Sequence, residues 1–487
     1  MNQDVMNLEP KMLWSNFEAL NAVPRPSKKE ERVIAFLLDF GKQHGIETIQ
    51  DKIGNIIMRK PATAGYENRK TVVLQSHIDM VHQKNADTDF DFDSEGIKSF
   101  IDGEWVKAKG TTLGADNGIG VAAMMSVLED NTLEHGPIEC LFTVDEETGM
   151  TGAFGLEGGL LQAEILLNLD TEDEGELTIG CAGGVDTTAT KSYTQEQLPV
   201  GYKTYKISLK GLKGGHSGGE IHLGRANANK LMNRILWFTH GSYGLRIHEI
   251  DGGSLRNAIP RESFAVVAVL ANKATAFEAH VKEQEGIFQA EYAKADGGIQ
   301  VVLEEVTASG PVMELEFQKQ FINAIQACPN GVIRMSNDIE GLVETSTNLA
   351  RVSARNGELE VLTLQRSSVD SGKDDVARSV GAPFRLLDCK VTHSGSYPGW
   401  APNPASPVLK EMETLFKAQF GYDPTVNAVH AGLECGIIGE AYPGMDMVSF
   451  GPTIKNPHSP DEMVEIATVT RFWDYLLEIL KNIPAKG

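Results

Sequence analysis

The chain has 487 residues, of which 41% are hydrophobic and 23% are charged. This composition is typical of globular proteins and argues against disorder, a collagen-like repeat or a coiled coil. At roughly 100–200 residues per domain, the length predicts two to four domains. The 67 acidic residues outnumber the 44 basic ones and give a net charge of −23. We therefore expect no nucleic-acid partner and no docking on anionic membranes, whereas small zwitterions, cations and metal ions remain compatible.

The cysteines and the N-terminus indicate the compartment. The five cysteines are odd in number, scattered and without a CxxC spacing, which favours a reducing environment over a disulfide framework. The first ten residues lack the basic segment and apolar run of a signal peptide. No apolar run approaches the roughly 18 residues that indicate a membrane span. We expect a cytoplasmic protein.

The first 185 residues predict alternating helices and strands. Helical apolar spacing covers 12–22 and 29–44, with Ser27 as the expected N-cap of the second helix. A third helix is predicted at 117–130. Short, almost continuous apolar runs predict strands buried on both faces, and these are 71–76, 138–144, 165–169 and, far downstream, 445–450. This pattern is typical of an α/β domain with a parallel or mixed sheet.

The following region, up to about residue 400, has a different pattern. The predicted strands are 202–210, 245–251, 263–270, 348–354, 358–365 and 384–391, and the predicted helices are 274–293, 313–327 and 374–380. Antiparallel strands with helices on one face indicate an α+β insert, and the Gly/Pro/Ser-rich stretch 394–407 is the expected linker back to the first domain. We therefore assign 1–185 and 401–487 to one domain and 186–400 to a domain inserted into it.

Histidine and carboxylate side chains follow the four buried strands. They are His77 and Asp79, Glu146 and Glu147, Asp170, and, in the loop after the fourth strand, His458. In open α/β sheets ligands bind at the carboxyl ends of the strands, so these side chains are expected at one edge. Asp116 lies between the first two strands and is expected at a helix N-terminus.

This set of side chains suits a metal. Imidazole and carboxylate without cysteine favour zinc or a similar divalent ion. One catalytic zinc takes about three protein ligands, whereas two ions that share a carboxylate would use all five candidates and could activate a water and polarise a carbonyl together. The candidate ligands are His77, Asp116, Glu147, Asp170 and His458. Glu146 would then serve as general base, and Asp79 could orient His77 by accepting an imidazole N–H.

Each of these features also has a simpler interpretation. A single HxD is common, a Glu-Glu pair in an acidic protein is usually solvated, and Asp116 could only cap a helix. Asp170 belongs to the acidic run 170–176. Against this, carboxylates at the ends of buried strands are costly to bury without partners. The spacing alone leaves a metal site and a surface role both open.

The segments that carry these residues resemble the motif series of the M20 metallopeptidases. They are LQSHIDMV (74–81), TLGADNG (112–118), DEETG (145–149), NLD (168–170), GGHSGG (214–219), GGSLRN (252–257), HAGLE (430–434) and HSP (458–460). The match follows the chain in order over nearly its whole length, with no departure at the core motif positions. Within the family the chain most resembles the bacterial aminoacyl-histidine dipeptidase branch, on the stretch 111–120 and on its length.

The resemblance implies a zinc-peptidase-like mixed sheet flanked by helices, with the insert as a lid. The five ligands would form two sites that share Asp116, one with His77 and Asp170 and the other with Glu147 and His458. Glu146 would be the general base and Asp79 would orient His77. The expected metal is Zn²⁺, with Co²⁺ or Mn²⁺ as alternatives.

The resemblance also implies roles in the insert. His216 would help to stabilise a tetrahedral oxyanion, and its flanking glycines would let the backbone approach substrate. Asn257 and Arg366 are candidates for holding substrate, Arg366 by a bidentate grip on a C-terminal carboxylate; the alternative for Arg366 is a surface position at a strand end. His430 and Glu434 would line the site or form a pair behind it. The histidines interpreted as structural are His82, His222 and His248.

The expected activity is hydrolysis of unblocked dipeptides, including Xaa-His types such as carnosine, by a dinuclear metallodipeptidase in which Glu146 assists a bridging water. Another M20-type amidohydrolase (a tripeptidase, carboxypeptidase or N-acyl-amino-acid deacylase) stays open, as does an inactive metal-binding scaffold. A nucleotide-binding protein is disfavoured because no GxGxxG or Walker loop follows a strand. A homodimer could form through an extended strand of the insert, unless a duplicated lid removes the need for it.

Overall fold

The structure is a computed structural model that describes residues 1–307 and 310–486. The chain forms two compact units. The first consists of Met1–Gly180, Pro402–Ala428 and Leu433–Gly487, and the second of Cys181–Ala401 and Val429–Gly432. The first unit is therefore built from three separate pieces of sequence.

The described residues form thirteen α-helices in chain order. They are α1 Gln3–Met6, α2 Lys11–Asn21, α3 Glu31–His44, α4 Ala115–Glu129, α5 Glu146–Gly149, α6 Thr151–Gly155, α7 Ala228–His240, α8 Ala274–Glu291, α9 Leu315–Ala327, α10 Asp370–Leu386, α11 Pro407–Phe420, α12 Glu434–Ala441 and α13 Ile466–Asn482.

The strands up to the end of the first long segment are β1 Glu47–Gln50, β2 Ile56–Lys60, β3 Val72–His77, β4 Ser99–Asp102, β5 Trp105–Ala108, β6 Ile138–Thr143, β7 Ile165–Asn168 and β8 Glu176–Cys181. Those that follow are β9 Gly183–Ser192, β10 Gln195–Gln197, β11 Tyr202–Lys210, β12 Gly215–His216, β13 Arg246–Gly252, β14 Ala258–Ile259, β15 Ser263–Leu270, β16 Gln300–Glu305, β17 Pro311–Met313, β18 Gly331–Met335, β19 Val343–Arg355, β20 Glu358–Ser367 and β21 Lys390–Tyr397. The last are β22 Thr425–Val429, β23 Asp446–Ser449, β24 Ile454–Lys455 and β25 Met463–Glu465.

An eight-stranded mixed sheet organises the first unit, in the order β1-β2-β6-β3-β7-β23-β8-β22. Its four central strands β6, β3, β7 and β23 are parallel to one another. Every residue of β3, β6 and β7 is buried, which explains why these strands are almost continuously apolar in sequence. Their carboxyl ends consequently meet at one edge of the sheet.

The helices of the first unit cover this sheet with apolar faces. Helix α4 is buried from Ala115 to Leu128 and packs against α2 and β3, as expected for a helix that is apolar all round. Helix α13 instead buries one stripe, which includes Phe472, Leu476 and Ile479. The helical spacing of that stripe matches a surface helix that covers a core.

A nine-stranded antiparallel sheet organises the second unit. Its main order is β16-β11-β15-β13-β19-β20-β9-β21, and β18 pairs with β19 beside this path. Buried residues of α7, α8, α9 and α10 form one apolar core with this sheet. The α/β first unit and the α+β second unit confirm the predicted fold class.

Three local predictions are wrong. Ser27 does not cap α3, because the helix begins at Glu31 and the Ser27 hydroxyl donates to the Met80 carbonyl at 3.2 Å. The strand predicted at 384–391 begins too early: Val376, Val380 and Phe384 continue one buried helix face, α10 extends to Leu386, and the strand starts only at Lys390. The start of the expected linker 394–407 is strand, because β21 continues to Tyr397.

All five cysteine side chains are buried as thiols. Across the described part of the chain, no helix combines the length and apolar character needed to cross a membrane.

Candidate metal centre and active site

The four parallel strands deliver polar side chains to one edge of the sheet. His77 is the last residue of β3, and Glu146 and Glu147 begin α5 directly after β6. Asp170 follows β7 by two residues, and His458 lies in the loop beyond β23. The register of the strands sets these positions, because side chains at the carboxyl ends of neighbouring parallel strands lie side by side.

The predicted ligands gather into two groups that share Asp116. In the first group, His77 Nε2 lies 3.2 Å from Asp116 Oδ1 and 3.5 Å from Asp170 Oδ1. In the second, His458 Nε2 lies 3.2 Å from Asp116 Oδ2 and 3.0 Å from Glu147 Oε2. Within each group, the nitrogen and oxygen atoms that could bind a metal lie within 4.8 Å of one another. Asp116 therefore turns one carboxylate oxygen toward each group.

Two buried side chains hold the loop that presents Asp116. The Glu462 carboxylate accepts hydrogen bonds from four consecutive backbone N–H groups, those of residues 113–116, at 2.7–3.2 Å. The Arg25 guanidinium donates to the Gly114 carbonyl at 2.6 Å and to the Asp79 carbonyl at 3.0 Å. Burial lowers the pKa of Arg25 to about 10, so it remains charged at neutral pH.

Asp79, the residue predicted to orient the imidazole, lies behind His77. Its Oδ1 is 3.3 Å from His77 Nδ1. The same carboxylate accepts the backbone N–H groups of Glu146 at 3.0 Å and Glu147 at 3.3 Å. One fully buried carboxylate thus ties the end of β3 to the start of α5.

The surroundings of these side chains favour positive charge in the cluster. Hydrogen bonds to Asp116 and Glu147 raise the pKa of His458 to about 11. Burial opposes a charge on His77, yet the Asp170 charge and the hydrogen bonds to Asp116 and Asp170 raise its pKa well above the ordinary value. Burial raises the pKa of Asp170 to about 6. Carboxyl groups this close together are unfavourable when all are ionised, unless cations or protons lie between them.

The residues predicted in the insert belong to the second unit. His216, on β12, pairs with Ala258 on β14, and the Ser217 N–H donates to the Asn257 carbonyl at 2.8 Å. His216 and Asn257 line a cavity of about 600 Å³. A Cβ on Gly218 would lie 2.9 Å from the His216 ring, so glycine is required there for the loop to fold back. The structure thus brings His216 and Asn257 together.

Arg366 lies on the large sheet of the second unit, and His430, in the segment after β22, contacts that sheet. Arg366 is buried on β20, and its Nη1 donates to the Tyr397 hydroxyl at 3.0 Å. His430 Nε2 lies 2.7 Å from the Ser346 hydroxyl, and burial lowers the pKa of His430 to about 3. The alternative interpretation of Arg366 as a surface residue at a strand end is wrong, because its side chain is buried.

A family model described as Peptidase family M20/M25/M40 matches residues 73–482. The chain belongs to the M20 peptidase family. The cytosol non-specific dipeptidase of Escherichia coli (strain K12) is 47% identical over 483 residues, which cover 99% of this chain and 100% of that protein. The resemblance drawn from the sequence motifs is therefore confirmed.

Two solved structures are similar to this chain. The crystal structure of aminoacylhistidine dipeptidase from Vibrio alginolyticus is 47% identical and covers 99% of each chain with a TM-score of 0.95. Aminopeptidase PepT from Bacillus cereus, at 15% identity, covers 98% of this chain and 99% of its own, with a TM-score of 0.56. This second likeness concerns the fold alone.

The sequence motifs place Glu434 at or behind the site, but sequence reasoning misses the polar layer that it joins beneath the ligands of this M20 peptidase. Glu434 is buried at the start of α12, and its Oε2 accepts hydrogen bonds from Gln75 Nε2 at 2.6 Å and from the Thr143 hydroxyl at 2.7 Å. Gln75 Oε1 accepts in turn from Asn168 Nδ2 at 2.6 Å. Gln75 precedes His77 by two residues on the same strand face, a relation that the sequence alone could have indicated.

Proposed function

We propose that this M20 peptidase is a dinuclear metal-dependent dipeptidase of the cytosol that hydrolyses unblocked dipeptides, including Xaa-His types such as carnosine. The observation that carries the proposal is the pair of donor groups sharing Asp116, with Glu146 beside them. The 47% identity to relatives named as dipeptidases supports the substrate class. Their names also support the location and the preference for histidine-containing substrates.

The donor set fits two divalent cations. His77 and Asp170 would hold one ion, Glu147 and His458 the other, and Asp116 would bridge them. The buried oxygen Glu147 Oε1 has no hydrogen-bond partner among the described residues, and a buried oxygen of this kind is costly unless something binds it. Mixed imidazole and carboxylate donors suit Zn²⁺, with Co²⁺ and Mn²⁺ as alternatives. Bound ions of this type lower the pKa of a water and polarise a carbonyl.

Glu146 is the residue we assign as general base. Burial raises the pKa of its carboxyl group well above the usual range, which suits a group that must both accept and release a proton near neutral pH. Its carboxylate accepts a proton from the attacking water and passes that proton to the leaving amine nitrogen. The hydrogen bond from the Glu146 N–H to Asp79 fixes the backbone at this position.

The tautomer of His216 supports its proposed role toward the oxyanion. His216 Nδ1 accepts the backbone N–H groups of Gly218 at 3.2 Å and Gly219 at 3.1 Å. Burial and the Arg366 charge lower the pKa of His216, so the ring is neutral. The remaining ring proton is then on Nε2, which is free to donate to a developing oxyanion. Asn257 and Arg366 would hold the substrate, Arg366 by its C-terminal carboxylate.

The test is a substrate and metal panel on the purified full chain. We expect hydrolysis of Ala-His and carnosine, loss of activity after chelation, and recovery with Zn²⁺, Co²⁺ or Mn²⁺ at two ions per chain. Preferred cleavage of tripeptides or N-acetyl amino acids would replace the dipeptidase by another M20-type amidohydrolase. Full activity in thoroughly metal-free protein would overturn the metal assignment.

A further inference from the structure

One row of residues crosses four strands of the second unit. Ser346 on β19 is opposite Arg366 on β20, Arg366 is opposite Gly184 on β9, and Gly184 is opposite Tyr397 on β21. Residues paired directly in an antiparallel sheet point to the same face. Arg366 and Tyr397 therefore lie on one face, separated by a strand whose residue in that row has no side chain.

The glycine lets the tyrosine reach the arginine. A Cβ on Gly184 would lie 2.7 Å from three atoms of the Tyr397 ring and hydroxyl. Any larger residue would displace the ring, because real Cβ contacts are not this short. Across the space left by Gly184, the Tyr397 hydroxyl accepts a hydrogen bond from Arg366 Nη1 at 3.0 Å.

The backbone around Tyr397 is shaped for this contact. The pairing of β21 with β9 shifts register between Ser394 and Tyr397, an irregularity of the kind that re-aims a side chain. The buried Lys373 ammonium donates to the Tyr397 carbonyl at 2.6 Å. A Cβ on Gly183 would overlap the same carbonyl. Three features thus fix the end of β21 against β9.

Arg366 itself is a buried cation with an unused donor. Its Nε has no hydrogen-bond partner, and within the described residues no carboxylate lies within 4.0 Å of its guanidinium. The nearby Asp186 pairs with Arg256 instead, at 3.2 Å. A buried charge without a counter-charge is unfavourable. An anionic ligand that binds Arg366 would supply the missing counter-charge.

We propose that Tyr397 is a positioning residue that orients Arg366 for the substrate's C-terminal carboxylate, and so sets the preference for free dipeptides over C-terminally blocked ones. This inference rests on the proposed function. By accepting from Nη1, Tyr397 leaves Nε and Nη2 as the side-on fork that binds a carboxylate through two parallel hydrogen bonds. Gly184 contributes to the same positioning of Arg366, because the absence of a side chain there makes room for the Tyr397 ring.

The experiment compares Ala-His with its C-terminal amide, which has the same scissile bond and no carboxylate. For Tyr397→Phe we expect the KM for Ala-His to rise about tenfold, as for loss of one hydrogen bond to a charged group, with kcat within about twofold. The amide should be hydrolysed as by wild type, so the acid-to-amide ratio of kcat/KM falls about tenfold. Gly184→Ala should reproduce this split by displacing the ring.

Two further variants serve as positive and negative controls. Arg366→Gln should abolish the acid preference altogether. Tyr205→Phe removes a hydroxyl of the same sheet that donates to Glu278 on α8, and it should leave the hydrolysis of both substrates unchanged. Thermal melting checks folding, and Gly184→Ala carries the test if Tyr397→Phe does not fold. An unchanged ratio in Tyr397→Phe while Arg366→Gln loses it, or an equal loss toward both substrates, would overturn the positioning role alone. A wild type that cleaves no free dipeptide would refute the proposed function and this inference with it.

Discussion

Glu462→Gln tests the support of Asp116 most directly. The Glu462 carboxylate accepts four backbone N–H groups, two on each oxygen, and is buried. The glutamine amide keeps one acceptor oxygen and presents an NH₂ group to the other two donors. Two N–H groups would thus lose their acceptor, and the other two would keep a neutral one. At about 1.5–3 kcal/mol for each of the two that lose it, we expect a loss of roughly 3–6 kcal/mol.

This loss should be visible in both stability and metal binding. For domains of 150–250 residues, 1 kcal/mol corresponds to a shift in Tm of about 2–4 °C, so the transition of the first unit should move down by at least about 6 °C. Metal content after dialysis should fall as well, because the loop that Glu462 holds ends at Asp116. Differential scanning calorimetry and elemental analysis measure the two effects.

Asp461→Asn is the matched control. Asp461 is the exposed neighbour of Glu462 in sequence, so its substitution should change the Tm by less than about 2 °C, as for surface changes within roughly 0.5 kcal/mol. A Tm of Glu462→Gln within that same range would refute the reasoning, since four buried N–H groups cannot depend on a carboxylate whose loss has no effect.

Three further predictions concern the proposed centre. Glu146→Gln should lower kcat by about 10²–10⁴-fold with unchanged metal content; near wild-type turnover would remove the base assignment. Asp116→Asn should reduce the metal stoichiometry measured by elemental analysis, because both donor groups share this carboxylate, and two ions retained after dialysis would exclude a bridge. His216→Ala should lower kcat by about 10²–10³-fold with both metal positions filled; an unchanged kcat would leave the glycine-flanked loop a structural role only.

The sequence predicts which side chains lie at the edge of the sheet, because the pattern that reveals each strand and its end is local. Strands β3, β6 and β7 are buried on both faces, so each gives an uninterrupted apolar run that ends at a polar residue. The parallel sheet then brings those ends together without further information. This rule places His77 and Asp170 close together. Asp116 joins them from the loop before α4, which the sequence motif at 112–118 identifies.

The contacts of the supporting residues could not be predicted because their partners are distant in sequence. Glu462 contacts residues that precede it by 346–349 positions, and Glu434 contacts Gln75 across 359. A single acidic residue gives no local sign of such a contact in a chain with 67 of them. The error at 384–386 has the opposite origin, since the start of a local apolar run was assigned to a strand although its spacing continues the buried face of α10.

The layer beneath the ligands explains why this site needs parallel strands. Gln75, Asn168 and Ser449 are level on three neighbouring strands, and their side chains form a continuous chain of hydrogen bonds that ends at Glu434. His77 follows Gln75 by two residues and Asp170 follows Asn168 by two, so each ligand is one step beyond a fixed partner on the same face. A slip of one residue in either strand would turn both layers to the opposite face at once. The register that satisfies the buried amides is therefore the same register that assembles the donor groups around Asp116.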